Sequence, residues 1–194
     1  MTRTLPIGQG WKEGKLVIIV YPDIMAVTRL LEWVFFFYFF SHIPITLLVD
    51  LQAVLPPTLY PQELRDLMKW YIVSFKDHLM MNPPAWFMSF VYCEAILQLP
   101  FFPLAAYAFF KGGCKWIRIP AIVYSTHVAT TVIAIIGHIL FGDFPKSDQI
   151  GPLSQKDRLT LVSIYSPYLV IPVLLLLTML FSSKYRQEEK RKRK

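Results

Sequence analysis

The chain is short of charged residues. Only 17% of its 194 residues are Asp, Glu, Lys or Arg, whereas 55% are hydrophobic; soluble domains usually carry about 25% charged residues. The shortage is concentrated in four runs, at residues 33–49, 85–110, 119–142 and 159–181, whose one charged residue is Glu94. Each run is close to the roughly 20 residues that a helix needs to cross a bilayer. The composition therefore argues against a soluble protein.

Patterns that would indicate other classes are also missing. The alternation of a membrane β-barrel strand is absent, so the apolar runs should be helices whose backbone groups bond internally. The sequence has no phosphate-binding glycine loop, nucleophile elbow or zinc pattern. Its two cysteines, Cys93 and Cys114, are separated by about 30 Å of helical rise, which argues against a disulfide between them. We therefore expect no metal, cofactor or disulfide framework.

The positive charge is concentrated at the C-terminus. The formal net charge is +7, and residues 184–194 hold seven Lys or Arg against two Glu, so that the rest of the chain carries only +2. A basic cluster just beyond a span fits contact with anionic lipid, and nucleic acid is not needed to explain it. Lys190 and Lys192, fifth and third from the end, resemble a dilysine signal for retrieval to the endoplasmic reticulum. The alternative is a plain basic stop-transfer tail.

The distribution of charge between the runs predicts the orientation in the membrane. The link at 111–118 has three basic residues and no acid, whereas the link at 143–158 has three of each. By the positive-inside rule the central link and the tail are cytosolic, which puts the first and third links in the lumen or outside. We therefore predict an all-α membrane protein, a bundle of four transmembrane helices at about 30–49, 85–110, 119–142 and 159–181, with both termini in the cytosol.

Three segments flank or interrupt this bundle, which we place within a domain at 25–182. Residues 1–24 contain an apolar run too short to span a membrane and lack a signal-peptide pattern, so we predict a poorly ordered, dispensable extension. Residues 183–194 form the basic tail. In the first link, residues 60–71 place Leu64, Leu67, Met68 and Tyr71 on one helical face. This amphipathic helix either covers the lumenal mouth of the bundle or lies at the interface and seals nothing.

Acidic groups converge on the lumenal half of the predicted bundle. Asp50 ends the first span, and Glu94 lies about 14 Å into the second, with Gln98 on the same helical face. Asp77, in the first link, can fold back over the mouth. Carboxyl groups that share a dry site cannot all be ionised, so at least one should hold a proton. Glu32, at the cytosolic end of the first span, is expected to be solvated.

Such a site suits an amphiphilic cation, because a buried carboxylate attracts it and aromatic rings add cation–π contacts. The same groups could instead perform proton chemistry. At least one proline in every predicted span should kink the helices and open a cavity, although packing bends alone would also explain these prolines. The predicted lining, besides Asp50, Asp77, Glu94 and Gln98, consists of His42, Trp70, Phe75, Phe87, Phe90, Thr131, Tyr165 and Tyr168.

Several strings in the sequence resemble a known family. They are SHIPIT at 41–46, VDLQAVLP at 49–56, FKD at 75–77, PPAWF at 83–87, CE at 93–94, QLPFFP at 98–103 and RLTLVS at 158–163. Together they resemble the sigma-2 receptor group of the EXPERA-domain family from about residue 31 onward.

The resemblance implies a homodimer of four-helix subunits in the endoplasmic-reticulum membrane, with further sites in the nuclear envelope, lysosome and plasma membrane. It implies binding of cationic amphiphilic drugs and sterols, a role in cholesterol homeostasis, and an effect on the lysosomal Niemann–Pick type C cholesterol transporter. By matching motif, Asp50 is the counter-ion of the ligand amine, Asp77 its hydrogen-bonded neighbour with one of the two protonated, and Glu94 and Gln98 the polar floor.

The competing interpretation is enzymatic. The same family includes the emopamil-binding sterol isomerase, which moves a ring double bond through a carbocation that a cationic amine mimics. The spans of this chain offer Glu94 as their one mid-span acid and no matching set of proton donors. We therefore predict a binding protein that needs no cofactor, with a sterol Δ8–Δ7 isomerase as the alternative.

Overall fold

The computed structural model describes residues 13–144 and 151–186, so the proposed retrieval lysines, Lys190 and Lys192, lie outside it. All of the long elements in this part of the chain are helices. The helices are α1 (Glu13–Leu48), α2 (Gln62–Phe75), α3 (His78–Met81), α4 (Ala85–Cys93), α5 (Phe101–Lys111), α6 (Arg118–Phe141), α7 (Gln155–Tyr165) and α8 (Pro167–Phe181). Short 3₁₀ helices follow at Asp50–Ala53, Pro57–Leu59, Lys115–Ile117 and Ser183–Tyr185, and a π-helical segment at Glu94–Gln98 joins α4 towards α5.

Three helical stretches are long and apolar enough to cross a membrane, namely Ala26–Ala53, Lys115–Phe141 and Gln155–Phe181. A fourth candidate is the pair Ala85–Gln98 and Phe101–Lys111, which meets at an angle of 54°. With the pair counted as one span, these stretches match the four predicted spans. The predicted fold class, an all-α membrane bundle with an amphipathic helix between the first two spans, is confirmed.

The N-terminal segment differs in part from the prediction. Helix α1 begins at Glu13, whereas we expected residues 1–24 to be poorly ordered. Residues 1–12 lie outside the described part of the chain. That the segment is dispensable stays a prediction.

The bundle has two ends, which we name for what they carry. The link end consists of residues 49–84, between the first two spans, and of residues 142–144 and 151–154, between the last two. The tail end consists of residues 26–32, 111–118 and 182–186. Between the two ends α1 packs along α5, and α6 packs along α8.

The interior divides into two apolar clusters. The larger is nearer the tail end, where Phe35 and Phe39 of α1 are fully buried with Phe102 and Phe109 of α5. Small side chains on α5, such as Ala105, allow neighbouring helices to approach closely, as is common in membrane bundles. The smaller cluster lies towards the link end and comprises Leu51, Leu79, Phe87, Val91, Ile135, Ile139 and Leu161. The candidate site lies where these clusters meet.

The bend in the second span has an identifiable cause. Pro100 has no N–H to donate and its ring crowds the preceding turn. The chain responds with a wider turn, in which the Leu99 N–H bonds the Glu94 carbonyl five residues back at 2.8 Å. By contrast, Pro167 occupies the first turn of α8, where a missing N–H costs nothing, and Pro172 is accommodated inside that helix. An opening in the bundle is therefore expected beside residues 94–98.

At the tail end, the prediction for Glu32 is wrong. We expected a solvated side chain, but Glu32 is 1% exposed. Its Oε1 accepts hydrogen bonds from Gly113 N–H at 2.8 Å, Lys184 Nζ at 2.8 Å and the Tyr185 hydroxyl at 2.6 Å. Its Oε2 accepts one from Arg29 Nη1 at 3.0 Å. We call these five residues the Glu32 clamp, since they join α1 to the α5–α6 turn and to the chain beyond α8.

The α5–α6 turn requires glycine for the clamp to form. Gly112 and Gly113 have φ angles of +76° and +66°, in the left-handed region that favours glycine. A Cβ atom on Gly112 would also lie 2.7 Å from Glu32 Oε2, too close for any side chain. The glycine pair thus allows the turn to approach the buried carboxylate.

Candidate ligand-binding cavity

A cavity of about 110 Å³ lies between the two apolar clusters. Its wall is built from α1, α4, the π-helical segment, α6 and the α7–α8 region. The lining residues are Tyr38, His42, Asp50, Met80, Phe87, Phe90, Val91, Glu94, Gln98, Tyr124, Val128, Thr131, Val132, Ile135, Tyr165 and Tyr168. Most of this surface is apolar or aromatic, and the carboxyl groups are confined to one part of it.

The acidic part of the wall is a pair of carboxyl groups. Asp50 and Glu94 share a hydrogen bond, which requires a proton on one of them. The Thr46 hydroxyl, fully buried, donates to Glu94 Oε1 at 2.5 Å. The pair can therefore present at most one negative charge to the cavity, and Thr46, a neutral donor, fixes the position of Glu94.

The π-helical segment explains how one helix supplies two polar groups to this wall. Glu94 and Gln98 both line the cavity, as their spacing of four residues predicts. The wide turn at Glu94–Gln98 ends at the bend before α5. Such single wide turns inside helices frequently occur at functional sites. Here the turn keeps the polar side chains of the second span on the inner side of the bend.

The aromatic wall contains a second polar group that the sequence analysis missed. The hydroxyl oxygens of Tyr38 and Tyr124 are 3.1 Å apart and buried. His42 packs against Tyr38 at a tilt, with ring centroids 4.3 Å apart, and meets Tyr168 edge-on at 4.9 Å. The available signal was periodicity, because Tyr38, His42, Thr46 and Asp50 recur every four residues, so the first three share one face of α1 and Asp50 continues it in the 3₁₀ turn that follows. Recognition of that face would have added Tyr38 and Thr46 to the predicted site.

Asp77 does not take the position that the resemblance implied. Instead of pairing with Asp50, it caps α3, where Oδ1 accepts from the backbone N–H groups of Leu79 and Met80 at 3.1 Å each. Its Oδ2 accepts from the hydroxyls of Tyr71 at 3.0 Å and Tyr165 at 2.9 Å. Burial raises the pKa of Asp77 above its usual range, and these four hydrogen bonds oppose the shift. Asp77 thus acts on the cavity through Tyr165, which lines it.

Replacing Asp77 should distinguish this capping role from a simple charge. In Asp77→Ala, α3 loses its cap and two buried hydroxyls lose their acceptor, so we expect a loss of about 3 kcal/mol of unfolding free energy. In Asp77→Asn the side-chain oxygen still caps the helix, and the loss should be about 1 kcal/mol. Thermal unfolding in a fixed detergent measures both. Equal stabilities of Asp77→Ala and of the control Asp66→Ala, on the exposed side of α2, would contradict the role.

Two predicted lining residues lie away from the cavity. Trp70 is 59% exposed on the outer side of α2, because Met68, two residues earlier, faces inward and two residues correspond to about 200° around a helix. Phe75 packs against the smaller apolar cluster and the ring of Tyr71, with centroids 5.3 Å apart. The structure places the other predicted residues in the cavity wall, apart from Asp77. Those residues are His42, Asp50, Phe87, Phe90, Glu94, Gln98, Thr131, Tyr165 and Tyr168.

The site offers no set of metal ligands within the described residues. Across 13–144 and 151–186, no group of three His, Cys, Asp or Glu side chains comes together as a metal site requires. The chemistry available to the cavity is that of a carboxyl pair, an amide, phenol hydroxyls and aromatic faces.

Comparison with known proteins places this chain in a family. The family EXPERA (EXPanded EBP superfamily) matches residues 63–179, from α2 to the last turn of α8. The chain belongs to the EXPERA family. Within this family it is 88% identical over 171 residues to the sigma intracellular receptor 2 of Xenopus tropicalis, covering 88% of this chain and all of that protein. The predicted family is therefore confirmed.

More distant relatives extend the family beyond vertebrates. The sigma intracellular receptor 2 of Homo sapiens is 58% identical over 172 residues, with 87% of this chain and 98% of that protein covered. The efficient mitochondria targeting-associated protein 19 of Saccharomyces cerevisiae is 29% identical over 150 residues, covering 72% of this chain and 91% of its own. This EXPERA protein is thus most similar, among these, to membrane proteins named as receptors.

Proposed function

We propose that this chain is an intracellular membrane receptor that binds cationic amphiphiles and sterols in the cavity between the two apolar clusters. The observation that carries the proposal is the carboxyl pair of Asp50 and Glu94 within an otherwise aromatic and apolar wall. The receptor names of the vertebrate relatives support the same class of function.

The residues of the cavity wall suit a ligand that has both a positively charged part and an apolar part. A negative charge in a poorly solvated site is stabilised by a cation that enters it, and aromatic faces add cation–π attraction. Phe87, Phe90 and Tyr168 provide such faces. The remaining apolar surface suits the hydrocarbon body of the ligand. In a sterol, the hydroxyl group would take the place of the amine beside the carboxyl pair. An amine-bearing amphiphile matches both parts of the wall at once.

The size of the cavity indicates that ligand binding requires movement. Pockets for drug-sized ligands have volumes of roughly 300–1,000 Å³, well above the 110 Å³ present here. A membrane-facing groove between α1 and α8 runs beside the cavity, and Tyr38, His42 and Tyr168 line both. Rotation of these three side chains would join the two spaces. We therefore propose that ligand enters from the bilayer.

Blocking the cavity should test the proposed site directly. Thr131 lines the cavity, whereas its neighbour Thr130 lies on the exposed face of α6. In Thr131→Phe the added ring occupies the space beside the carboxyl pair, so saturable binding of a radiolabelled cationic amphiphile should fall at least tenfold, and sterol competition with it. The same substitution at Thr130 should leave binding unchanged. Equal binding in both variants, with matched thermal stability, would remove the cavity as the site.

The alternative function is sterol Δ8–Δ7 isomerisation. One observation favours it, because Glu94 and the hydroxyls of Tyr38 and Tyr124 border the same closed space, so that groups able to exchange protons surround a ligand. Purified protein given a Δ8-sterol would then form the Δ7 product, and Glu94→Gln would abolish it. We favour the receptor because the carboxyl pair suits a stable cation without any reaction.

The cellular setting is likewise a proposal. The tail end carries the basic residues of the α5–α6 turn and of the chain beyond α8, and by the positive-inside rule it faces the cytosol. We propose an endoplasmic-reticulum membrane protein that acts as a homodimer in cholesterol homeostasis and trafficking, in part through the lysosomal Niemann–Pick type C cholesterol transporter. Protease protection of tagged termini in sealed microsomes measures the orientation.

A further inference from the structure

A third space in the molecule, which we call the tail-end groove, shares no lining residue with the cavity or with the groove beside the cavity. It is a groove of about 530 Å³ between α1 and the end of α8 at the tail end. Leu31, Leu177 and Phe181 form its apolar part, while Ser182, Ser183 and Arg186 form its polar part. Leu177 is 47% exposed and Phe181 69% exposed, so the apolar part opens outward from the bundle.

The two parts of this groove meet at the boundary of the membrane. The first candidate span begins at Ala26 and the last ends at Phe181, so Leu31, Leu177 and Phe181 belong to the ends of the apolar stretches that we propose cross the membrane. Ser182, Ser183 and Arg186 follow directly outside them. The groove therefore crosses from hydrocarbon to the headgroup region, as a phospholipid does.

The polar part is held in place by the Glu32 clamp. Lys184 and Tyr185 both donate to the buried Glu32 carboxylate, which draws the chain beyond α8 back against α1. Ser183 and Arg186 flank those two residues on either side. Among the described residues, the three ion pairs involve Arg29, Lys76 and Lys184 as cations, so the exposed Arg186 guanidinium is left without a carboxylate partner.

The surrounding charge favours an anion. Six basic residues stand against one acid, Glu32, at the tail end, and the acid is already neutralised within the clamp. The six are Arg29, Lys111, Lys115, Arg118, Lys184 and Arg186. A field of this sign attracts anionic lipid.

We propose that the tail-end groove, between α1 and the end of α8, is a binding site for an anionic phospholipid. An acyl chain lies against Leu31, Leu177 and Phe181, and the phosphate contacts the Arg186 guanidinium, with the hydroxyls of Ser182 and Ser183 within the same headgroup space. The Arg186 guanidinium favours a phospholipid over a sterol, because a phosphate needs a positively charged partner and a sterol hydroxyl does not. A soluble acidic peptide fits less well, because half of the groove lies at hydrocarbon depth.

Two variants test the charge and the groove separately. The full chain in detergent is mixed with phosphatidylserine or phosphatidylcholine, and retained lipid is counted by native mass spectrometry. Arg186→Gln removes the guanidinium that contacts the phosphate and should lower phosphatidylserine retention about fivefold, the equivalent of about 1 kcal/mol. Leu177→Trp fills the apolar part without changing charge and should lower it to a similar extent.

The control is Lys115→Gln, which removes an exposed cation of the same end that does not line the groove. It should retain phosphatidylserine as the parent does, and phosphatidylcholine should be retained weakly throughout. If Lys115→Gln matches Arg186→Gln, or if Leu177→Trp has no effect, attraction is a property of the whole basic surface and the site is refuted. Equal retention of phosphatidylcholine by the parent chain would likewise overturn the proposal.

Discussion

Asp50→Asn should lower the affinity for a cationic amphiphile by about 150- to 5,000-fold while the protein stays folded. The substitution keeps the shape of the side chain and its ability to hydrogen-bond Glu94, but it removes the negative charge that compensates a buried amine. Leaving one partner of a buried ion pair uncompensated costs about 3–5 kcal/mol. Saturation binding of a radiolabelled ligand to membranes measures the loss, and thermal unfolding of the unliganded protein verifies the fold.

Two further variants show whether a loss of affinity comes from the charge of Asp50: one is a control at an exposed acid, and the other changes Glu94. Asp66→Asn changes an exposed acid of α2 that accepts from Gln62, and it should leave the affinity unchanged. Glu94→Gln changes the other half of the pair, so a loss confined to Asp50→Asn assigns the charge to Asp50, whereas equal losses assign it to the pair. An Asp50→Asn protein that binds the amine as tightly as the parent would contradict the proposed receptor site.

Glu32→Gln should be the most destabilising conservative change at the tail end. The amide has one acceptor oxygen, so its N–H₂ group faces either Arg29 or the donors Gly113, Lys184 and Tyr185, and some of the four hydrogen bonds are lost in either orientation. Since Arg29 and Lys184 are about one-third exposed, water compensates part of the lost charge. We therefore expect a loss of about 2–3 kcal/mol, mainly from the buried donors, seen as a lower unfolding temperature in detergent.

A second measurement separates loss of the clamp from general instability. Lys184 is held by Glu32 in the parent chain, so trypsin should cleave after Lys184 slowly in the parent and readily in Glu32→Gln. The control Glu63→Gln alters an exposed acid in the first turn of α2 and should change neither measurement. Unaltered stability together with unaltered protection of Lys184 would show that the clamp contributes little.

The fold was predictable because it depends on local composition. Apolar runs near the length of a bilayer determine the helices, and a proline beside Glu94–Gln98 determines where the second span bends. The polar residues of the cavity were predictable in part for the same reason, since acids inside such runs have few alternatives to an internal cavity. Thr46 and Tyr38 were missed although the four-residue repeat on α1 contained them.

The errors share a different cause, which is contact between residues far apart in the chain. Glu32 looked solvated because its sequence neighbourhood is a span terminus, whereas its strongest partners are Lys184 and Tyr185, 152 and 153 residues away. Asp77 was assigned to Asp50, yet a backbone cap and two tyrosines satisfy it. Trp70 was placed in the cavity before the inward face of α2 was known.

The break in the second span divides this protein into a fixed half and an adjustable half. On the tail-end side of the 54° bend, α5 is packed along α1 and tied to the clamp through the glycine turn. On the link-end side, α4 is nine residues long and begins at the loop after α3. We propose that a tilt of α4, whose Phe87 and Val91 pack in the smaller apolar cluster, adjusts the cavity to ligands of different bulk. The range of ligands that the protein binds would then depend on how far α4 can tilt at the bend, and not on the volume of the cavity.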